Sequence, residues 1–325
     1  MIIRLCQHSF HIYDLLIFSG ALTLLVYLLL PTRFATHYDY INKDHMEASL
    51  VPGTVKYSNV TDQQEHEIDC DYAEVIDSSR YIYDVYHRET IHHAEQILSG
   101  GEFLPECRHR YSTAIIVPYR DRQDQLAAFL NYIHNYLRHQ LIHYRIFVVE
   151  QSDHKPFNRA MLFNIGAKVA VSYGYPCLIL HDVDLMPLNS GQIYACSASP
   201  RHMSSALDWW RFHLPYRTLF GGVIAITSLQ FQEINGMSNL YYGWGGEDDD
   251  LFERLDVSGI HICRFDPAYS EYTMLKHKQE TPNKNRLALL RAASVRMNID
   301  GLNTLRYKEV ERRMHSLFTH ILVET

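Results

Sequence analysis

The apolar positions of this chain keep different periods in different stretches, and each change of period predicts a different element. The first stretch has no period at all. "YDLLIFSGALTLLVYLLL", Tyr13 to Leu30, is almost wholly apolar, and no charge falls between Leu15 and Leu30. A helix needs roughly 20 such residues to span a bilayer, so 12–30 reads as a transmembrane segment. It ends in "LLLPTRF", which offers no small-residue cleavage site and favours an uncleaved signal anchor over a removed signal peptide. Arg4 precedes the run, Arg33 follows it and Asp14 sits at its start, so the positive-inside rule hardly discriminates. The unequal flanks instead predict a cytoplasmic tail over 1–11 and a lumenal remainder. Residues 31–68 are polar and aperiodic and read as a stem, which leaves 69–325 as one lumenal globular domain.

Within that domain the pattern becomes regular. "TAIIVPYR" (Thr113 to Arg120) is a short apolar run stopped by Pro118, as in a buried strand. Leu126, Phe129, Leu130, Ile133 and Leu137 follow at helical spacing. "YRIFVVEQ" is a second buried strand, "FNRAMLFNIGAKVAVSYG" a helix ending near Gly174, and "CLILHDVDLMP" a third strand. Strand, helix, strand, helix, strand predicts an α/β fold with a mostly parallel sheet and helices on its faces. Ligands of such sheets bind beyond the C-terminal strand ends, where "PYRDR", "EQSDHKPFNR" and "DVD" fall. No G-x-G-x-x-G or P-loop follows a strand, against a dinucleotide or Walker site.

Composition narrows the class. Hydrophobic content of 47% and charged content of 21% suit a folded protein. A net charge of −7 disfavours nucleic acid as a partner. Most of the 23 tyrosines are expected in the core, although aromatic rings also stack on sugars. Of six cysteines, five lie in the globular part, so at least one is free or bonded between molecules. No CxxC pair suggests zinc or redox chemistry. "NVT" at Asn59 is the one N-glycosylation sequon, and it falls in the stem.

Chemistry concentrates at the strand ends. Strand alternation would turn Asp182 and Asp184 to one side, where hard oxygen ligands suit a divalent cation beside a diphosphate; a solvated turn is the plain alternative. Arg120, Arg122 and Arg159 can pair with phosphate oxygens, helped by the helix N-terminus at Arg159; surface ion pairs are the plain alternative. In "YYGWGGEDDDLFERL", Gly245 and Gly246 allow a tight turn. Glu247 to Asp250 then fall in a first helical turn, where acids complement the dipole. That explains one or two acids, not four beside Trp244. A carboxylate against an aromatic wall can act as general base toward a sugar hydroxyl. A calcium loop is disfavoured, because "EDDD" lacks the D-x-D-x-D-G spacing. His277 and Met274 in "TMLKH" are, by themselves, ordinary residues.

The order of these pieces resembles the beta-1,4-galactosyltransferase family of Golgi glycosyltransferases. "AIIVPYRDR", "FNRAMLFNIG", "DVDLMP", "FGGVIAIT", "INGMSNLYYGWGGEDDDLFERL", "MLKH" and "DGLNTL" match in sequence order, from about Cys70 to Tyr307. The resemblance implies a glycosyltransferase-A (Rossmann-like) fold and an inverting, manganese-dependent transfer from a UDP-sugar to a terminal GlcNAc, at the Golgi membrane in type II topology. It implies donor contacts at Pro118, Tyr119, Arg120, Arg122, Phe157, Arg159, Val183, Asp184, Leu219, Gly222, Trp244, His277 and Glu280. Asp184, Met274 and His277 would bind Mn2+, and Asp248 would be the catalytic base. Tyr216, Tyr241, Glu247, Asp248, Asp249, Arg286, Leu287 and Leu290 would meet the acceptor. Cys70–Cys107 and Cys177–Cys196 would be disulfides, leaving Cys263 without a partner.

Leu219 occupies the position where galactose-transferring members carry a tyrosine that narrows the pocket near the donor C2 substituent. Leucine leaves room for an N-acetyl group, as in the invertebrate beta-1,4-N-acetylgalactosaminyltransferases. UDP-GalNAc is therefore the expected donor and UDP-Gal the alternative. Glu280, Tyr242, Leu287 and a shortened 277–300 segment depart from the family pattern, chiefly on the acceptor side. A non-catalytic scaffold on the same fold is a further alternative, and Asp14 is compatible with a membrane protein partner.

Overall fold

The computed structural model describes residues 2–29, 38–55, 68–85 and 94–325. Helices are α1 (Ile2–Leu29), α2 (Lys43–Met46), α3 (Tyr72–Asp77), α4 (Gln123–Leu137), α5 (Arg159–Ser172), α6 (Ser228–Glu233), α7 (Glu247–Val257), α8 (Arg286–Arg291) and α9 (Ala293–Arg296). An eight-stranded sheet comprises β1 (Glu102–Phe103), β2 (Ser112–Tyr119), β3 (His143–Gln151), β4 (Cys177–His181), β6 (Arg201–His202), β8 (Val223–Thr227), β10 (Lys308–Met314) and β11 (Thr319–Glu324). A smaller sheet joins β5 (Leu185–Pro187), β7 (Ala206–Leu207) and β9 (Glu271–Met274).

The large sheet runs in the order β10-β11-β3-β2-β4-β8-β6, with β1 added to β3. Its centre, β11-β3-β2-β4, is parallel. The flanks are antiparallel: β10 on β11, β1 on β3, and β8 between β4 and β6. The sheet is thus mixed rather than mostly parallel. Only β2-α4-β3-α5-β4 is built from helical crossovers, which parallel neighbours require.

Because β3 and β4 lie on opposite sides of β2, the two crossover helices cover opposite faces. Phe129, Leu130 and Ile133 of α4 pack with Ile115, Val117, Ile146 and Val148. On the other face, α5 and Leu251 and Leu255 of α7 pack with Ala114, Ile116, Phe147 and Val149. Alternate residues of the same strands serve the two cores, as the period of two demands. The reversal of strand order at β2 opens a crevice at the C-terminal strand ends. Gly166 lets α5 come close there, since a Cβ would lie 2.3 Å from the Ile116 side chain.

Both expected disulfides, Cys70–Cys107 and Cys177–Cys196, are formed, and Cys263 is free. The expected stem needs correction over 38–55. Met46 and Leu50 are buried in the main core, and Ile41, Leu50 and Gly53 bridge to Phe265, Ser197 and Tyr111. Methionine and leucine on one short helical stretch were enough to dock this segment, so the packed unit begins well before 69. Asn59 lies outside the described residues. Among the described residues no helix is long and apolar enough to cross a membrane. Residue 30, the end of the expected anchor 12–30, lies outside the described residues.

Candidate active site

Three arginines converge at the crevice, each placed by a strand or helix end. After β2, Asp121 takes a left-handed backbone (φ 51°), which turns the chain and sends its neighbours apart. Arg120 donates to the Lys155 carbonyl at 2.7 Å, pairs with Glu280 at 3.3 Å and lies 5.3 Å from the Phe157 ring centre. Arg122 donates to Asp184 Oδ2 at 3.0 Å. Pro118 and Tyr119 close β2 beside them.

Asn158 caps α5 by accepting from the Met161 N–H, so Arg159 opens the helix pointing into the crevice. It donates to Asp182 Oδ1 at 2.5 Å and to Asp248 Oδ1 at 2.7 Å, with Glu247 at 3.6 Å. Its guanidinium lies 4.7 Å from the Phe163 ring centre. Its Nη2 is buried yet meets no acceptor in the protein. Burial opposes the charge, but Asp182, Asp248 and Glu247 together keep Arg159 firmly protonated.

The sequence expectation that Asp182 and Asp184 act as one pair is corrected here. They sit in the turn between β4 and β5 rather than in a strand, and they take different partners. Asp182 binds Arg159; Asp184 binds Arg122 and lies 2.7 Å from His277 Nδ1. Val183 between them is buried. The β5–β9 register sets Leu185 opposite Met274, and the Leu275 N–H donates to the Asp184 carbonyl. Asp184, Met274 and His277 are therefore brought to one place by two adjacent strand ends. Burial works to raise Asp184, but the hydrogen bond and charge of His277, with Arg122, hold it below the ordinary carboxylate range. The same bond raises His277. A carboxylate beside an imidazole suits a divalent cation such as manganese, whereas a thioether is a softer donor than that ion ordinarily takes. Among the described residues no three His, Cys, Asp or Glu side chains gather to hold a metal.

The acid run is resolved residue by residue. Gly246, in a left-handed conformation (φ 95°), is the N-cap of α7, and no side chain caps the helix. The acids fill its first turn rather than its cap. Glu247 turns back to accept from the Gly245 N–H at 3.1 Å. Burial, then the charge of Asp248, pushes Glu247 up to about 7. Asp248 meets Arg159 and lies against Gly221, where any Cβ would fall 2.2 Å from Oδ2. Asp249 accepts from the Tyr216 hydroxyl at 2.9 Å. Asp250 is fully buried and accepts from Arg254 Nε at 2.7 Å, Arg296 Nη2 at 2.8 Å and the Tyr241 hydroxyl at 3.0 Å. Asp248, Asp249 and Asp250 each face a different partner, while Glu247 shares Arg159 with Asp248 and is the one pushed up.

The remaining expected residues frame this cluster. Trp244 is 46% exposed, its N–H donates to the Thr281 carbonyl, and Arg286 stacks on its ring at 5.1 Å. The Gly243 N–H donates to the Phe157 carbonyl, tying the Trp244 loop to the Arg159 loop. Leu219 is buried just before Gly221 and Gly222, and its carbonyl accepts from Arg264 at 2.9 Å. Leu290 is half-buried and Leu287 is 61% exposed. Tyr241 is the exception. It is 1% exposed and buttresses α7 from behind, so it does not face an acceptor. Gly221, Asp250, Arg254, Arg296 and Asp300 were not anticipated. The only sequence signal for the charged four is the i,i+4 spacing of Asp250 with Arg254 and of Arg296 with Asp300.

Basic groups at the parallel strand ends thus stand beside the Asp184–His277 pair and, through Arg159, the Asp248 carboxylate, an arrangement suited to an anionic ligand such as a diphosphate. Residues 78–197 match the family model described as the N-terminal region of glycosyl transferase group 7, and 201–278 match that of the N-terminal domain of galactosyltransferase. The chain belongs to glycosyl transferase group 7. It is 40% identical over 234 residues to beta-1,4-galactosyltransferase 2 of Cricetulus griseus, covering 70% of this chain and 63% of that protein. It is 41% identical to beta-1,4-galactosyltransferase 1 of Mus musculus, covering 70% and 59%. The chain thus spans less than two thirds of the length of these relatives. Among solved structures, the catalytic domain of Drosophila beta-1,4-galactosyltransferase 7 with xylobiose superposes with a TM-score of 0.57 at 28% identity, over 66% of this chain and 93% of that one. A variant of that Drosophila protein, crystallised with manganese, UDP-Gal and xylobiose, gives 0.58 at 27% identity, with the same coverage.

Proposed function

We propose that the protein is an inverting glycosyltransferase that moves GalNAc from UDP-GalNAc to the 4-hydroxyl of a terminal beta-linked GlcNAc. The observation that carries this reading is Arg159, which joins Asp182 to Asp248 and so sets the Arg122–Asp184–His277 group and Asp248 in one crevice. Arg120, Arg122 and Arg159 hold the diphosphate of the donor, and the buried, unpaired Nη2 of Arg159 is a donor awaiting such an acceptor. Phe157, stacked under Arg120, gives the nucleotide base a flat wall. Asp184, Met274 and His277 would hold manganese, which supplies neutralising charge beside the departing diphosphate.

Asp248 acts on the other reactant. It takes the proton from the acceptor 4-hydroxyl as that oxygen attacks the anomeric carbon. The bond from that carbon to the β-phosphate oxygen breaks, and UDP leaves with the electron pair. Attack from the face opposite the leaving group inverts the anomeric centre. Trp244 and Arg286 wall off the acceptor side, while Tyr216 and Asp249 offer polar contacts to its hydroxyls.

The GalNAc assignment rests on Leu219, whose side chain leaves room for a C2 substituent that a tyrosine would fill. Galactose transfer is the alternative, favoured by the relatives' names. A natural setting at the Golgi membrane, with the N-terminal run as a type II anchor, fits the two lumenal-type disulfides. The test is donor competition: full-length protein in detergent, manganese, a terminal GlcNAc acceptor, and equal UDP-GalNAc, UDP-Gal and UDP-Glc. Product mass showing a HexNAc addition supports the whole reading. A hexose addition keeps the transferase and removes the donor assignment.

A further inference from the structure

Helix α8 carries Arg286, Leu287 and Leu290 yet has little to hold it. It is six residues long and contains no fully buried side chain, and a helix so short is unstable by its own hydrogen bonds. Arg296, at the end of α9, supplies the missing attachment. Its Nη2 donates to the Leu289 carbonyl in the last turn of α8 at 2.8 Å and to Asp250 of α7 at 2.8 Å. Its Nη1 donates to Ser238 Oγ at 3.1 Å and to Asp300. One guanidinium thus joins the helix of the acceptor side, the helix of the candidate base and two loops.

The surroundings show that this is a closed unit. Arg254 binds Asp250 through Nε and the Asp300 carbonyl through Nη2. Asp250, Asp300, Arg254 and Arg296 balance to zero charge, and Asp250 and Arg254 are wholly buried. A cation at the C-terminal turn of α8 also complements that helix's dipole. None of these contacts reaches Arg120, Arg122, Arg159 or the Asp184–His277 pair.

We propose that Arg296 is a positioning residue that clamps α8 onto α7 and thereby sets acceptor affinity, leaving the donor side unaffected. The proposal deepens the transferase reading and rests on it for the identity of the acceptor. The test is Arg296→Lys in the full-length protein. Lysine keeps the charge beside Asp250 and Asp300, but a single ammonium cannot span both carboxylates and the Leu289 carbonyl. Losing a buried bond from a charged donor costs about a factor of ten or more. Amide hydrogen exchange in peptides covering 285–292 should therefore accelerate by about tenfold, while peptides of β2 and α5 stay unchanged. The acceptor KM should rise by a similar factor, with the donor KM and the rate of donor hydrolysis without acceptor held.

Unchanged exchange in 285–292, or donor and acceptor KM rising together, would overturn the clamp. If Arg296→Lys does not fold, Arg296→Gln with Asp300→Asn preserves charge balance and removes the same span, with the same two readings. If the native protein transfers no sugar at all, the transferase reading fails, and the exchange measurement still decides whether Arg296 holds α8.

Discussion

Replacing Gly221 by alanine would test the role of Asp248 without touching its charge. Gly221 is not among the residues with positive φ, so alanine fits its backbone and the effect is steric. The added Cβ would stand 2.2 Å from Asp248 Oδ2 and 2.5 Å from its Cγ. Carbon and oxygen need more than ~3 Å, so the carboxylate must retreat by about 1 Å. The 2.7 Å bond to Arg159 Nη1 would stretch with it. A displacement of ~1 Å in a reacting group costs about 10²-fold in rate, or about 2.7 kcal/mol. Arg159, which the transferase reading places on the diphosphate, keeps its bond to Asp182, so UDP affinity should stay within about threefold, under about 1 kcal/mol. Steady-state transfer kinetics and UDP titration calorimetry in manganese read the two quantities separately. A kcat within about threefold of native would refute the view that the Asp248 position governs transfer. A parallel loss of UDP affinity would instead indicate that the whole crevice had moved.

Further outcomes follow from the same geometry. Asp248→Asn should bind UDP normally and lose at least about 10²-fold in kcat; full transfer activity would remove it as the base. Leu219→Tyr should raise UDP-Gal use relative to UDP-GalNAc, and an unmoved donor ratio in the competition assay would end that inference. His134 is buried between the Tyr144 hydroxyl and the Leu317 carbonyl, and burial depresses it to about 4. Its folded value lies below its unfolded one, so the stability is full above about pH 6.5 and falls as pH drops toward 4. At pH 5 the loss is about 2 kcal/mol, which urea midpoints at pH 7.5 and 5 should show and His134→Gln should diminish. Removing the Cys177–Cys196 bridge, which closes a separation of 19 residues, should cost about 3 kcal/mol by loop entropy, measured as a lowered urea midpoint of the double serine variant.

The parts of this molecule that were readable in the chain are those governed by local pattern. Apolar runs at Ser112–Tyr119, His143–Gln151 and Cys177–His181 alternate with amphipathic helices. Period and handedness together force parallel neighbours with their loops at one end, so Arg120, Arg122, Arg159 and Asp184 had to meet. Gly245 and Gly246 before a run of acids located the start of α7 correctly. What the chain did not disclose depended on partners far away in sequence. Polarity alone made 38–55 look like a stem, because the pocket that receives Met46 and Leu50 is assembled from distant strands. The antiparallel flanks follow from short connections whose direction no periodicity records.

The four acids show the division most clearly. Residue type and helix position determined that Glu247 to Asp250 would lie in a first turn, where backbone N–H groups favour negative charge. Only the tertiary structure assigned them separate tasks. Arg159, 89 residues away in sequence from Asp248, draws that carboxylate into the crevice, while Arg254 and Arg296 bury Asp250 behind it. Helical rotation of about 100° per residue points neighbouring acids at different walls. Which wall holds a base and which holds a buried ion network was decided by the rest of the fold.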